Sequence, residues 1–202
     1  MARHTGPKQR LQRQVGEDLG LKTNALKTAK RINVKPGQHG GKRHRRLSDY
    51  GVQLQEKQKL KYIYGVLEKQ LKKLYHQAES SSLGTGPALL LFLERRLDNV
   101  IFRLGWAPTR ASARQLVAHG HVIVNDRKMN IPSYRVKEGD MIKLKDKATN
   151  IPVVEEGLKD EDYVLPEWLQ RKHNVGKVVR LPEKDEVDEK VDIQLIVEYY
   201  SR

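Results

Sequence analysis

Between Leu93 and Leu144 the pattern of apolar and polar positions changes period, and each change marks an element. Leu93, Leu97, Val100, Ile101 and Leu104 recur at three- and four-residue steps, the spacing that lines one buried face of a helix. Upstream, Ala88 to Phe92 is apolar all round, and Gly86-Pro87 can open a helix because proline suits a first turn whose amide is free anyway. The pattern therefore predicts one helix over Ala88–Leu104, stopped by Gly105. Pro108 breaks the chain, Thr109 is placed to cap a second helix over Arg110–His119, and Gly120 ends it. Beyond Gly120 the period changes: His121–Val124 is β-branched, Asn125-Asp126 is a tight-turn pair, and Lys128–Ile131 can return antiparallel. Met141–Lys145 is a further run, entered through the turn Lys137-Glu138-Gly139-Asp140.

The same reading extends to both sides. Ser48 can cap a long helix over Tyr50–Ala78, with Leu54, Ile63, Val66, Leu67, Leu71, Leu74 and Tyr75 in its apolar stripe. Lys57, Lys61, Lys69, Lys72 and Lys73 are left to its outside. Residues 79–86, ESSSLGTG, read as a connection. Leu165–Lys172, with Pro166 and Trp168, reads as a short helix, and Val187–Tyr200, alternating at Val191, Ile193, Leu195 and Val197, as a half-buried strand. Trp106 and Trp168 read as core anchors. Apolar residues are sparse and unperiodic from Met1 to Arg46, so this arm is expected to order on a partner.

The expected class is α+β. A basic arm covers residues 1–47 and a helical domain 48–92. A module of two helices and a β-hairpin covers 93–150, in a mixed domain with an antiparallel sheet. An acidic segment, 151–202, brings a strand that completes the sheet or packs on the helical domain.

Charge narrows the partner. The 202 residues carry a formal net charge of +14, concentrated in the front half, while residues 151–202 hold 8 cations and 13 anions. Such a balance favours a polyanion, because each neutralised phosphate releases counterions. No apolar run approaches the roughly 20 residues that would span a membrane, and neither terminus carries a lipidation or secretory pattern. Cysteine is absent, which excludes disulfides and thiolate chemistry. His39 with His44, or His119 with His121, has no third and fourth ligand at a usual spacing, so no metal site is expected.

Within the module Arg96 and Arg103 stand two turns apart on the first predicted helix, and Arg110 and Arg114 one turn apart on the second, so two short helices can present four guanidinium groups. Arg127 and Lys128 lie at the hairpin tip. In the arm, Arg3, Lys8, Arg10 and Arg13 are spread along the chain, and His39, Lys42, Arg43, His44, Arg45 and Arg46 cluster at its end among glycines that let backbone approach a phosphate.

The stretch ERRLDNVIFRLGWAPTRASARQLVAHGHVIVND resembles the RNA-binding module named after ribosomal protein S-four (S4). MARHTGPKQRLQRQVG at the start and PGQHG at Pro36–Gly40 resemble the N-terminal segment of the bacterial-type ribosomal proteins of that family, so the likeness covers nearly the whole chain. It implies that the two helices and the hairpin lay one basic face on structured RNA of the small ribosomal subunit, with Thr109, His121 and Asn125 adding hydrogen bonds. It further implies early binding that nucleates subunit assembly, contact with neighbouring ribosomal proteins and with messenger near where it enters, an influence on decoding accuracy, and in some relatives repression of their own message. Many relatives hold zinc through cysteines in the arm; here Gln9 and Gln12 occupy the places of the first pair, so no zinc and no other cofactor is expected. The implied location is the ribosome, in cytoplasm or an organelle.

Two other classes compete. The same module occurs on RNA-modifying enzymes, among them pseudouridine synthases, whose catalytic aspartate lies in an RLD context followed by threonine and glycine. Here Asn99-Val100-Ile101-Phe102 follows Arg96-Leu97-Asp98, so Asp98 reads as a structural carboxylate orienting an arginine. There is no P-loop, no dinucleotide fingerprint and no paired carboxylate in an apolar setting, and no small-molecule substrate is expected. Sequence-specific DNA binding would also use paired helices with arginines, but a broad face of cations suits folded RNA, which is read by shape and phosphate placement.

Overall fold

Glycine and the side-chain caps decide where the helices of this protein begin and end. The structure, a computed structural model, describes residues 4–24, 26, 29–42, 46–160, 163–183, 186–187 and 191–202. In chain order its helices begin with α1 (Lys8–Val15), α2 (Asp49–Ile63), α3 (Glu68–Glu79), α4 (Thr85–Glu94), α5 (Leu97–Arg103) and α6 (Arg110–Ala118). Strands β1 (Val122–Val124), β2 (Arg127–Met129) and β3 (Met141–Leu144) follow, then α7 (Asp146–Thr149), α8 (Pro152–Lys159), β4 (Leu169–Lys172), β5 (Val175–Val178) and α9 (Ile193–Tyr200). The expected α+β class is what is found. The chain divides into two units, one of residues 1–89 with 189–202 and one of residues 90–188.

In the first unit the long helix expected over Tyr50–Ala78 is two helices. Gly65, at φ 61°, follows α2 and lets the Val66 amide reach the Lys61 carbonyl at 3.2 Å while its own amide reaches Tyr62 at 3.2 Å. This paired closure needs a left-handed residue that a Cβ would strain. Apolar residues on both sides of Gly65 hide the break in the sequence. Lys57, expected on the outside, is buried, with its ammonium 2.9 Å from Glu68 and 4.6 Å from the centre of the Tyr199 ring.

The C-terminal strand expected over Val187–Tyr200 is instead the helix α9. Ile193, Ile196, Val197 and Tyr200 also stand at helical spacing, and Asp192 settles the choice by accepting hydrogen bonds from the amides of Gln194 and Leu195 at 3.0 and 3.5 Å. The helix packs on α2, where the Gln53 amide donates to Glu198 at 3.0 Å.

The arm is more structured than its composition suggests. Leu11 and Leu19 are buried, and Gln55 donates to the Val15 carbonyl at 3.0 Å. The Arg13 guanidinium donates to the carbonyls of Val34 and Lys35 at 2.7 and 3.1 Å, closing the loop that leads into Pro36–Gly40.

The second unit is built on a five-stranded antiparallel sheet in the order β2-β1-β3-β5-β4. Asn125 and Asp126, both at positive φ, form the two-residue turn between β1 and β2 that the sequence announced. The short helix expected over Leu165–Lys172 is a correction: β4 occupies its second half and pairs with β5, a strand that no sequence signal had marked. Alternation decides it, since Leu169 points into the core while Gln170 and Lys172 are exposed.

One core joins the helices α5 and α6 to the inner face of this sheet, with Leu97, Ile101, Leu104, Val117, Ile142 and Val178 fully buried. Trp106 and Trp168 both lie in it, and the Trp106 indole donates to the His173 carbonyl at 3.1 Å. The sheet comes so close at Gly176 that a Cβ there would stand 2.7 Å from Leu104.

Candidate nucleic-acid interface

The single helix expected over Ala88–Leu104 is broken at Arg95-Arg96, and the break shapes the site. Arg96 is extended, and the segment 132–136 fills the gap. The Leu97 and Asp98 amides donate to the carbonyls of Tyr134 and Pro132 at 2.8 and 3.1 Å, and the Val136 amide donates to Arg95 at 2.9 Å. Two of the free amides at the start of α5 are thereby satisfied by backbone.

This turn directs Arg96 inward. Its Nε and Nη2 grip both oxygens of Asp98 at 3.1 and 2.9 Å, and Arg114 Nη1 reaches Asp98 Oδ2 at 3.0 Å. Arg96, Asp98 and Arg114 are 4%, 4% and 7% exposed. The expectation that both arginines stand on the surface is therefore corrected. A carboxylate held between two guanidinium groups offsets the loss of water for all three. Asp98 is a structural carboxylate, as its sequence context suggested.

A second cluster, which the sequence did not mark, adjoins it. Glu94, buried, accepts from Arg103 at 3.0 and 3.1 Å and from the Asn99 amide at 2.7 Å. Asn99 in turn accepts from Arg110 Nε at 2.7 Å, and the Arg110 guanidinium lies 4.6 Å from the centre of the Phe102 ring. Arg103, which was also expected to be presented outward, has a side chain only 17% exposed. The one available signal was polar residues at four- and five-residue steps along an apolar stripe. Arg135, half-buried over the Phe92 ring, is pushed below its usual pKa first by burial and then by Arg95 and Arg96.

Other members of the predicted set serve the fold. The Thr109 hydroxyl accepts from the Ser112 amide at 3.2 Å and caps α6. The Asn125 side chain donates to Asp140 at 2.8 Å and accepts from the Met141 amide at 2.9 Å, so both its ends are engaged within the protein. His121 is half-buried and lines a hollow of about 210 Å³ with Gln115, His119 and Val153. Arg127 and Lys128 are exposed at the hairpin tip.

In the first unit Arg10, His39, Lys42 and Arg46 are exposed. Lys8, Arg10 and Lys61 line a hollow of about 350 Å³ with His4 and Tyr62. Arg3, Arg43, His44 and Arg45 lie outside the described residues. Among the described residues no group of three or more histidine, aspartate or glutamate side chains is placed to hold a metal ion.

A surface of cations braced from beneath by ion-paired arginines can hold phosphate without bond chemistry. Comparison with known proteins agrees with that character. Residues 3–94 match the family described as ribosomal protein S4/S9 N-terminal domain, and residues 95–142 match the S4 domain. The chain is 50% identical to small ribosomal subunit protein uS4 of Aquifex aeolicus over the whole of both chains. The proteins of the same name from Persephonella marina and Porphyromonas gingivalis are 47% and 45% identical, again over the whole of both chains. None of these matches supports the enzyme alternative. The chain belongs to the S4 family of ribosomal proteins.

Proposed function

We propose that the protein is a structural constituent of the small ribosomal subunit and a primary binder of its RNA, acting by phosphate contact and not by catalysis. The observation that carries the reading is the hairpin tip. A turn locked by Asn125 and Asp140 projects Arg127 and Lys128 from the same core that fixes Arg110 over Phe102. Rigid placement of cations lets them match a folded polyanion without paying for their ordering on binding. The relatives are named as small-subunit proteins, and likeness over the full length favours the same role here.

The sites assigned to RNA are Arg110, Arg127 and Lys128 in the second unit, with His121 at their margin. In the arm they are Lys8, Arg10, His39, Lys42 and Arg46, joined by Arg3, Arg43, His44 and Arg45. Arg96, Arg103, Arg114, Thr109 and Asn125 support the sites of the second unit from within, and Arg13 shapes the arm. By family likeness the protein nucleates folding of one region of the subunit in the cytoplasm, touches neighbouring ribosomal proteins and lies near incoming messenger.

Filter binding to naked small-subunit ribosomal RNA tests the reading, with a DNA duplex as competitor at equal salt. Tight binding that the duplex does not displace is expected. Displacement by the duplex, or loss of the protein from small subunits in a high-salt wash, would overturn it.

A further inference from the structure

Among the described residues no helix covers the second face of the sheet. Inward positions of β1, β3 and β5 meet α5 and α6 in the core, so the alternate positions point the other way. The register sets Lys128 on β2 opposite Ile123, Ile123 opposite Lys143, Lys143 opposite Val175, and Val175 opposite Lys172. One row thus crosses all five strands with a lysine on every second one. In the neighbouring row Lys177 stands between Met141 and Gln170.

Lys128, Lys143, Lys172 and Lys177 are all exposed, and Met141 between them is 54% exposed. No outward strand position carries a carboxylate. Among the described residues none of the four lysine ammonium groups makes a hydrogen bond or an ion pair, whereas Arg96 and Arg114 of the same unit are bound to Asp98. Strand spacing puts the row lysines about 10 Å apart, and Lys177 lies about 8 Å diagonally from Lys143 and Lys172.

We infer that this outer sheet face is a second RNA-contacting surface, which takes the phosphate backbone of a folded RNA segment other than the one held at the helices and hairpin tip. Four like charges on one rigid face set up a positive potential that a polyanion lying across them would neutralise. The apolar residues between them leave no protein carboxylate to do so. Flat lysine-bearing sheet offers no pocket for a base, so the contact is independent of sequence. With cations on both sides of its core, the unit would bridge two RNA segments. The inference rests on the RNA-binding role proposed above.

The test uses the full chain and naked small-subunit ribosomal RNA. Binding is measured across a potassium chloride series for the wild type, for Lys143→Gln/Lys172→Gln/Lys177→Gln and for the same three positions changed to Arg. The Gln variant is expected to lose about two to three units of salt slope, and the Arg variant to keep it. The hydroxyl-radical footprint of the Gln variant should lose a segment distinct from the one lost on Arg127→Ala. If the Gln variant fails to fold by its urea midpoint, single variants Lys143→Gln and Lys177→Gln carry the test, each expected to lose about one unit. An unchanged slope overturns the inference. An unchanged slope with loss of the variant from subunits reconstituted with all their proteins overturns it in favour of an acidic protein neighbour. Failure of the wild type to bind RNA at all strikes the proposed function itself.

Discussion

Arg114 Nη1 lies 3.0 Å from Asp98 Oδ2, so a residue in the middle of α6 is tied to the first turn of α5 through a carboxylate that Arg96 already grips with two hydrogen bonds. The pair fixes how the two helices of the RNA-binding module meet. Asp98 also sits where the α5 amides favour negative charge, and its Oδ1 accepts from the Asn99 amide at 3.1 Å. Replacing Asp98 by Ala leaves two buried guanidinium groups facing each other. The expected cost is about 3–5 kcal/mol, the range for breaking a buried pair by removing one partner. Urea denaturation followed by circular dichroism measures it, and a loss below about 1 kcal/mol would mean that water reaches the arginines.

Most of this module was legible in sequence because its signals are local. Gly105, Thr109, Gly120 and the Asn125-Asp126 turn each act within a few residues, and each lies where the pattern placed it. The break at Arg96 was not legible, because what fills it is the segment 132–136, brought there by tertiary folding. The inward turn of Arg96 and Arg114 follows from that break, and surface spacing alone could not foretell it. The C-terminal helix failed for a different reason: Val191, Ile193, Leu195 and Val197 satisfy a two-residue period as well as Ile193, Ile196 and Val197 satisfy a helical one. Only the Asp192 cap breaks the tie.

Buried and exposed cations should separate in experiment. Arg114→Ala is expected to act on folding, lowering the urea midpoint and leaving Asp98 with one partner fewer. Arg127→Ala/Lys128→Ala removes two exposed cations, one at the hairpin tip and one shared with the outer sheet face, and is expected to leave the midpoint unchanged, while the salt slope of RNA binding falls by about two units. If Arg114→Ala changed the slope with no effect on stability, its guanidinium would have to reach RNA, contrary to its burial.

Acid should loosen the first unit through Glu68. Burial alone would raise this carboxyl, but hydrogen bonds from Lys57 at 2.9 Å, Tyr200 at 2.9 Å and Lys61 at 3.3 Å hold it below the usual range. Tyr200 is pushed up, first by burial and then by the same carboxylate. A folded pKa below the unfolded one gives stability that is complete above the ordinary glutamate pKa of about 4.3 and fades as pH falls through the folded value. Glu68→Gln should therefore lower the urea midpoint at neutral pH and flatten its decline as pH falls below about 4.3. Parallel acid limbs in the two proteins would show that Glu68 does not contribute to this dependence.

The arm offers the clearest separation of local geometry from global stability. A Cβ on Gly40 would stand 1.7 Å from the Lys35 carbonyl oxygen, a contact with backbone that no rotamer can relieve. The same carbonyl accepts from Arg13 at 3.1 Å, so Gly40→Ala should displace Lys35, release Arg13 and reshape the loop that carries His39 and Lys42. Arg13→Ala should open the loop from the other side without the steric clash. Both variants are expected to weaken binding to small-subunit ribosomal RNA by about tenfold, about 1.4 kcal/mol. The urea midpoint, set by helices such as α2 and by the sheet core, should stay in place. RNA affinity equal to wild type in both variants would mean that the arm grips RNA without needing this loop, and would move the arm's contribution to cations elsewhere along residues 4–24.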